Sequence, residues 1–112
     1  MRIREMQWKD YSLTNRRVKE LREYCRDSDN MSMVTQAAAC ASPSLAGVIV
    51  KSLTTGIGYV ELSKKEYIPA TGADFYAYQR RTIAFLDVLL RGRGLGLWVD
   101  MEAAGQIKRI IR

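Results

Sequence analysis

Residues 67–93, YIPATGADFYAYQRRTIAFLDVLLRGR, constrain the fold more than any other stretch, because they predict one long helix with an apolar face and a basic aromatic face. Ile68 and Pro69 predict a turn, since proline pushes the preceding residue out of the helical region and has no amide donor. Thr71 predicts the N-cap, because its hydroxyl can accept an amide of the first turn. Asp74 follows three residues later, where a carboxylate favours the positive end of a helix.

Helical spacing separates the two faces of this helix. The core positions recur at three- and four-residue steps and are Phe75, Gln79, Ile83, Leu86 and Leu90, with Tyr78, Phe85 and Leu89 widening the stripe. The opposite side is expected to face solvent or a partner, and it holds Tyr76, Ala77, Arg80, Arg81 and Arg91. Glycine in the run Arg91-Gly92-Arg93-Gly94 predicts the end of the helix.

Residues 12–27 predict an amphipathic helix near the start of the chain. Its apolar face is expected to carry Thr14, Val18, Leu21 and Cys25. Its outer surface is basic and holds Arg16, Arg17, Lys19, Arg22 and Arg26. A solvated helix surface is the simpler interpretation, and a phosphate-binding surface is the alternative.

The middle of the chain predicts three shorter helices. Residues 33–41 are small and apolar with high helix propensity. Ser42 and Pro43 predict the start of the next helix, because serine is a favoured N-cap and proline fits the first turn. That helix is expected to bury Leu45, Val48, Ile49 and Leu53 and to stop at Gly56. Residues 57–66 predict a further two to three turns, with Val60 and Leu62 packing inward.

The tail and the length complete the predicted architecture. Residues 97–99 could form a strand, and residues of about 100–112, with Ile107, Ile110 and Ile111, predict a terminal helix. A length of 112 residues fits one modest core, so residues 1–112 are expected to form a single domain. The predicted fold class is all-α, a compact bundle of four to six helices.

Composition excludes more functions than it indicates. The 18 Lys and Arg against 12 Asp and Glu give a net charge of +6, which permits a polyanionic partner but is also common in small domains. Residues 1–26 contain eight basic and four acidic residues, whereas Lys51 is the only charged residue in the range 31–58. Histidine is absent, which removes the commonest general base and metal ligand. We therefore expect no enzyme, no catalytic residue, no metal site and no cofactor.

Cysteine usage and hydropathy predict an intracellular protein. Cys25 and Cys40 have no paired CxxC spacing and are expected to be buried free thiols. No apolar run reaches the length of a membrane span, and the basic start lacks the hydrophobic region of a secretory signal. These features predict an intracellular protein with no membrane partner, and the resemblance given below implies that its location is the cytoplasm of a bacterial host cell.

A short helix, a tight turn and a longer helix over residues of about 57–92 predict a unit like a helix-turn-helix. Three parts of this segment resemble a pattern found in small proteins from Firmicutes phages and mobile elements. They are Ile68-Pro69, the run from Asp74 through Phe75-Tyr76-Ala77-Tyr78-Gln79 to Arg80-Arg81, and Leu86. Those proteins are similar to phage late-gene (ArpU-like) regulators and to sigma-factor region 4. The resemblance spans roughly residues 45–92, and Gln79 interrupts the usual basic run. The basic helix over residues 12–27 also resembles the leading helix of those regulators.

The resemblance implies a transcription regulator that binds a promoter or operator in double-stranded DNA. It maps the DNA contacts onto Thr71, Asp74, Tyr76, Ala77, Arg80 and Arg81. Lys64 and Lys65 fit positioning on the DNA backbone from the preceding helix, because lysine supplies sequence-independent phosphate contacts. Further candidate phosphate contacts are Arg16, Arg17, Arg91 and Arg93.

Two other functions remain open on the sequence. The size, the charge and the mobile-element resemblance also permit a phage-encoded inhibitor, such as an anti-CRISPR or other anti-defence protein, that binds a host protein or nucleoprotein complex. Trp98 and the isoleucines of the tail could instead form a homodimer interface in a helical module. Dimerisation is compatible with DNA binding, because two-fold operators commonly match two-fold proteins.

Overall fold

The computed structural model describes residues 2–92, which form an all-α bundle without strands in that range. The helices are α1 (Asn15–Arg26), α2 (Met31–Ala41), α3 (Ala46–Thr55), α4 (Tyr59–Ser63) and α5 (Gly72–Gly92). Short 3₁₀ turns cover Ile3–Glu5, Trp8–Tyr11 and Ser28–Asn30. The predicted bundle of four to six helices is confirmed. The predictions for Arg93, for residues 97–99, for Trp98 and for the terminal helix lie outside the described residues.

Helix α5 is the centre of the bundle, and its bounds and core face are those predicted. The hydroxyl of Thr71 accepts the Asp74 amide at 3.2 Å, which caps the first turn. The apolar side chains at the core positions are fully buried; they are Phe75, Ile83, Leu86 and Leu90. Burial of each of these side chains contributes roughly 1.5–3 kcal/mol of hydrophobic stabilisation. Helix α5 packs mainly on α2, whose small buried residues allow a close approach.

Helix α1 also follows its predicted pattern on the apolar side. The hydroxyl of Thr14 accepts the Arg17 amide at 3.1 Å and caps the helix. Val18, Leu21 and Cys25 are buried against the rest of the bundle. The apolar face of this helix is therefore confirmed for these three residues, whereas Thr14 is exposed and precedes the helix. One arginine of the predicted basic surface is buried, as described below.

Helix α3 begins later than predicted. The Leu45 amide donates to the Ser42 carbonyl at 3.1 Å, so residues 43–45 form a turn before the helix starts at Ala46. The Ser42 hydroxyl lies 3.3 Å from the Ser44 hydroxyl and does not cap a helix. Gly56 ends the helix as predicted, with φ of 82° in the left-handed region that favours glycine.

Helix α4 is shorter than predicted, with five residues in place of two to three turns. Ile57 lies outside the helix and Gly58 is an extended N-cap, because glycine loses more conformational freedom than other residues in a helix. Val60 is 65% exposed, so its predicted packing is wrong, while Leu62 is buried. Residues 64–71 connect α4 to α5, and eight residues exceed the three or four of a helix-turn-helix turn.

Within residues 2–92, no helix has both the length and the apolar character needed to cross a membrane.

Candidate nucleic-acid interface

Two of the candidate phosphate contacts, Arg17 and Arg91, are ion-paired with one carboxylate. Arg17 is 2% exposed, and its Nε donates to Oδ1 of Asp87 on α5 at 2.6 Å. Glu20 lies 3.5 Å from Nη1 of the same arginine, and Arg91 donates to Oδ2 of Asp87 at 3.0 Å. The prediction that Arg17 lies on the outer surface is wrong, because its guanidinium is buried against Asp87. Its phosphate contact stays a prediction.

An N-terminal strap, defined here as residues 2–6, covers much of the predicted reading face of α5. Arg4 forms a hydrogen-bonded ion pair with Asp74 at 2.9 Å. The hydrogen bond from Arg4 holds the pKa of Asp74 below its ordinary value. Arg80 donates from Nε to the Met6 carbonyl at 2.9 Å and from Nη2 to the Arg4 carbonyl at 3.4 Å. Two predicted DNA contacts, Asp74 and Arg80, are therefore engaged by the protein's own backbone and side chains.

Ala77 and Arg81 are also less accessible to a partner than the sequence predicted. Ala77 is 1% exposed, so its predicted exposure on the outer side of α5 is wrong, while its contact with DNA stays a prediction. The physical reason is that the 3₁₀ turn of the strap packs on this side of α5 and widens its buried surface. The guanidinium of Arg81 lies 5.0 Å from the centroid of the Phe85 ring, which is a cation–π distance.

The remaining predicted contacts lie on or near the connection between α4 and α5. Lys64 and Lys65 are exposed, and Lys64 lies 3.5 Å from the Glu61 carboxylate of α4. Thr71 is exposed at the start of α5, with its hydroxyl engaged in the cap. Tyr76, which is 39% exposed, faces a different group of residues, described next.

The outer face of α1 carries the main basic surface of the described residues. We call its exposed cations the α1 band; they are Arg16, Lys19, Arg22 and Arg26. Glu23 is the one exposed carboxylate on this helix. A shallow groove follows the band along α1, between Asn15 and Arg26. Four cations against one carboxylate make this face attractive to a polyanion.

A cavity of about 220 Å³ opens beside the α1 band, between α1, the end of α3 and α5. We call it the arginine pocket; it is lined by Arg22, Arg26, Ser52, Leu53, Gly56, Ile57, Gly58, Tyr76 and Gln79. Arg22 and Arg26 also line the groove along α1, so the groove and the pocket share two cations. Among the described residues that line the pocket, none is a carboxylate.

A hydrogen-bonded chain from the core positions Arg22 at the arginine pocket. Its Nη1 donates to the side-chain oxygen of Gln79 at 3.5 Å, and Gln79 Nε2 donates to Ser52 Oγ at 2.9 Å. Ser52 Oγ in turn donates to the Ile57 carbonyl at 2.6 Å. Gln79 and Ser52 are buried, so the chain is shielded from water. The guanidinium of Arg22 also lies 5.7 Å from the ring centroid of Trp8.

Sequence reasoning missed this arrangement, although one signal was present. Gln79 occupies a core position of α5, and a buried amide needs partners for its hydrogen-bonding groups. A search for those partners would have led to Ser52 and Arg22. The Ser52 partner lies 27 residues away along the chain, so helical periodicity alone could not identify it.

Tyr76 brings a hydroxyl to the same place. Its oxygen accepts the Tyr59 amide at 2.9 Å, and its ring packs edge-on against Phe75 with centroids 5.2 Å apart. Because the oxygen serves as an acceptor in that bond, the hydroxyl hydrogen can still be donated. Tyr76 is thus a predicted DNA contact that the structure brings together with the α1 band.

The two cysteines have different environments. Both are free, but Cys40 is exposed on the outer side of α2, so its predicted burial is wrong. Cys25 is buried as predicted, and burial raises the pKa of its thiol to about 12, although Arg22 and Arg26 act in the opposite direction. Because the thiolate is the nucleophile, Cys25 is chemically inert near neutral pH.

We expect alkylation to distinguish these thiols. At pH 8 in native buffer, iodoacetamide should modify Cys40 first and Cys25 at a rate about a thousandfold below that of an unperturbed thiol, because so little Cys25 is ionised. Peptide mass spectrometry over a time course measures both rates. Unfolding in urea should make the two rates similar, and rapid native modification of Cys25 would contradict its buried environment.

Metal chemistry finds no support in this part of the chain. Within residues 2–92, no three histidine, cysteine, aspartate or glutamate side chains converge on a common point that could hold a metal ion. The arginine pocket and the α1 band are therefore the chemically distinctive surfaces of the described residues. No protein-family model matches this chain, and neither a curated protein nor a solved structure matches it.

Proposed function

We propose that this protein is a non-enzymatic DNA-binding protein whose main contact surface is the α1 band, continued by Tyr76 of α5. The observation that carries the proposal is the grouping of four exposed cations on one helix face around a single carboxylate. Arg16 and Arg26 are separated by about 15 Å along the helix axis, at 1.5 Å per residue. Phosphates of one DNA strand advance by about 3.4 Å along the duplex axis, so the band can reach several of them.

The resemblance of residues 45–92 to phage late-gene regulators supports double-stranded DNA as the partner and transcription regulation as the role. The connection between α4 and α5 is longer than a helix-turn-helix turn, so the proposal keeps only one feature of that motif, the placement of base contacts in the first residues of the second helix. Thr71 and Ala73 are exposed at the start of α5 and are the proposed base-proximal positions, whereas Tyr76 faces the arginine pocket. Arg80 and Asp74 would join them only after release of the N-terminal strap.

Salt dependence provides the test of this proposal. Each phosphate neutralised by a lysine or arginine contributes about 0.9 to the slope of log affinity against log salt. We therefore expect a slope of about −3 for the parent protein on a mixed-sequence duplex, if three band cations reach phosphates. Fluorescence anisotropy between low and moderate salt measures it.

Matched substitutions locate the contact surface. Lys19→Gln and Arg26→Gln should each reduce the magnitude of the slope by about 0.9. Lys51→Gln is the control, because Lys51 is an exposed cation of α3 that is ion-paired with Glu66, away from the band. Equal slopes for all three variants and the parent, or no duplex binding by the parent, would overturn the proposal.

A further inference from the structure

The arginine pocket has the chemistry of an anion site. It is a cavity rather than an open surface, and two guanidinium groups line it without a carboxylate among the described residues. Guanidinium groups present planar forks of N–H donors that match the oxygens of a phosphate group. We infer that this pocket binds a single phosphate group, supplied by the DNA strand that follows the α1 band. The identity of the strand rests on the proposed function, whereas the phosphate chemistry rests on the pocket itself.

The two guanidinium groups are held in place by different parts of the fold. The buried Gln79 and Ser52 position Arg22, as described above. Arg26 lies against the bare Cα of Gly56, since a Cβ built there would be 2.5 Å from its Nη2. Gly56 ends α3, and the negative end of the helix dipole favours a cation at this point. Both cations are therefore placed before any ligand arrives.

Two acceptors beside the pocket are already engaged. The carbonyl of Ser52 accepts the Gly56 amide at 2.8 Å, and the carbonyl of Ile57 accepts the Ser52 hydroxyl. The hydroxyl of Tyr76 keeps its hydrogen for donation, because its oxygen accepts the Tyr59 amide. Arg22, Arg26 and Tyr76 can thus offer donors to a ligand, which suits phosphate oxygens.

The size of the pocket indicates how much of a ligand can enter. Pockets for drug-sized ligands have volumes of about 300–1,000 Å³. A volume of about 220 Å³ is below that range and favours one phosphate group over a whole nucleotide. Because Arg22 and Arg26 also line the groove along α1, the rest of a strand can lie outside, along the band.

Phosphate titration of the full chain tests this inference. Inorganic phosphate is added to ¹⁵N-labelled protein at constant ionic strength, with chloride as the matched reference salt. We expect saturable amide shifts at Gly56, Ile57 and Gly58. Arg26→Gln should weaken phosphate binding about tenfold, the effect of one charge-assisted hydrogen bond. Lys19→Gln removes a charge from the same helix outside the pocket, and it should change phosphate affinity by less than about twofold, since exposed charges are screened.

A second variant and a DNA arm separate the possible outcomes. Tyr76→Phe should weaken phosphate binding roughly three- to tenfold, and it supplies a readout if Arg26→Gln fails to fold. No shifts at residues 56–58, or equal effects of Lys19→Gln and Arg26→Gln, would overturn the phosphate site even if duplex binds. Phosphate binding without duplex binding would support the site and overturn the DNA proposal, leaving a small phosphorylated compound as the source. Shifts at the same amides with both phosphate and duplex would support both.

Discussion

Arg17→Ala should lower the free energy of unfolding by about 3 kcal/mol, because it removes the cation that lies between two buried carboxylates. Arg17 is 2% exposed and bridges Asp87 of α5 at 2.6 Å and Glu20 of α1 at 3.5 Å. Arg91 still pairs with Asp87 after the substitution, which places the expected loss at the lower end of the range for broken buried pairs. Chemical denaturation followed by circular dichroism measures it. Total stabilities of small domains are about 5–15 kcal/mol, so the loss is large.

A cation on the exposed side of α1 supplies the matched control for this substitution. Arg16 has a contact of its own, so the control variant is Lys19→Ala, at an exposed position of the same helix, which should change the stability by no more than about 0.5 kcal/mol. Replacing Arg17, Glu20 and Asp87 together by apolar residues of similar size should restore most of the loss, because such replacements often match a buried ion cluster. Equal losses for Lys19→Ala and Arg17→Ala would mean that the buried ion cluster does not stabilise the bundle.

The helices were predictable from the sequence wherever one periodic face met the core. The periodic apolar residues of α1 and α5 lie on their buried sides, and the predicted cap at Thr71 forms, whereas Thr14 caps α1 where the sequence predicted a core position. Periodicity has no information about partners from distant parts of the chain. Arg17 shows this limit, since the carboxylate that pairs with its buried guanidinium lies 70 residues away in the sequence. An arginine beside an apolar stripe looks like a surface cation until its partner is known.

The predicted exposure of the outer side of α5 differs from the structure for a similar reason. Residues 2–6 have no helical or strand periodicity, so nothing in the sequence indicated that they cover α5. Residues 2–6 are held on α5 by the ion pair of Arg4 with Asp74 and by hydrogen bonds from Arg80 to backbone carbonyls. The hydrogen bonds of Arg80 join residues more than 70 positions apart in the sequence. The assumption that basic residues opposite an apolar stripe face solvent therefore misled the prediction.

The candidate site was only half predictable. The basic outer face of α1 follows from the spacing of its lysine and arginine residues, whatever its role. The arginine pocket does not, because it combines α1 with Ser52 and Gly56 of the α3 end and with Gln79 and Tyr76 of α5. Such a cavity depends on how the helices pack, and packing angles are not encoded in any single helical pattern.

Gly56→Ala should separate the structural and the binding role of the α3 end. Gly56 has φ of 82°, so an alanine there should cost about 1–2 kcal/mol of stability. The new Cβ would lie 2.5 Å from Nη2 and 2.9 Å from Cζ of Arg26. Because that guanidinium is the far end of a flexible side chain, it should move away and relieve the contact. The clash should therefore reduce phosphate affinity by about tenfold, in addition to the loss of stability.

Gly47→Ala is the control for this substitution, since a Cβ at Gly47 in α3 meets nothing within 4 Å. It should leave phosphate affinity unchanged and raise the stability by up to about 1 kcal/mol, because alanine favours the helix. Combining Gly56→Ala with Arg26→Gln distinguishes the mechanism. If both act through the same guanidinium, the double variant should bind phosphate no more weakly than Arg26→Gln alone. Two results would show that the contact between Arg26 and Gly56 does not position the guanidinium for the ligand. One is a double variant whose loss of phosphate affinity equals the sum of the two single losses, and the other is a Gly56→Ala variant that binds phosphate like the parent.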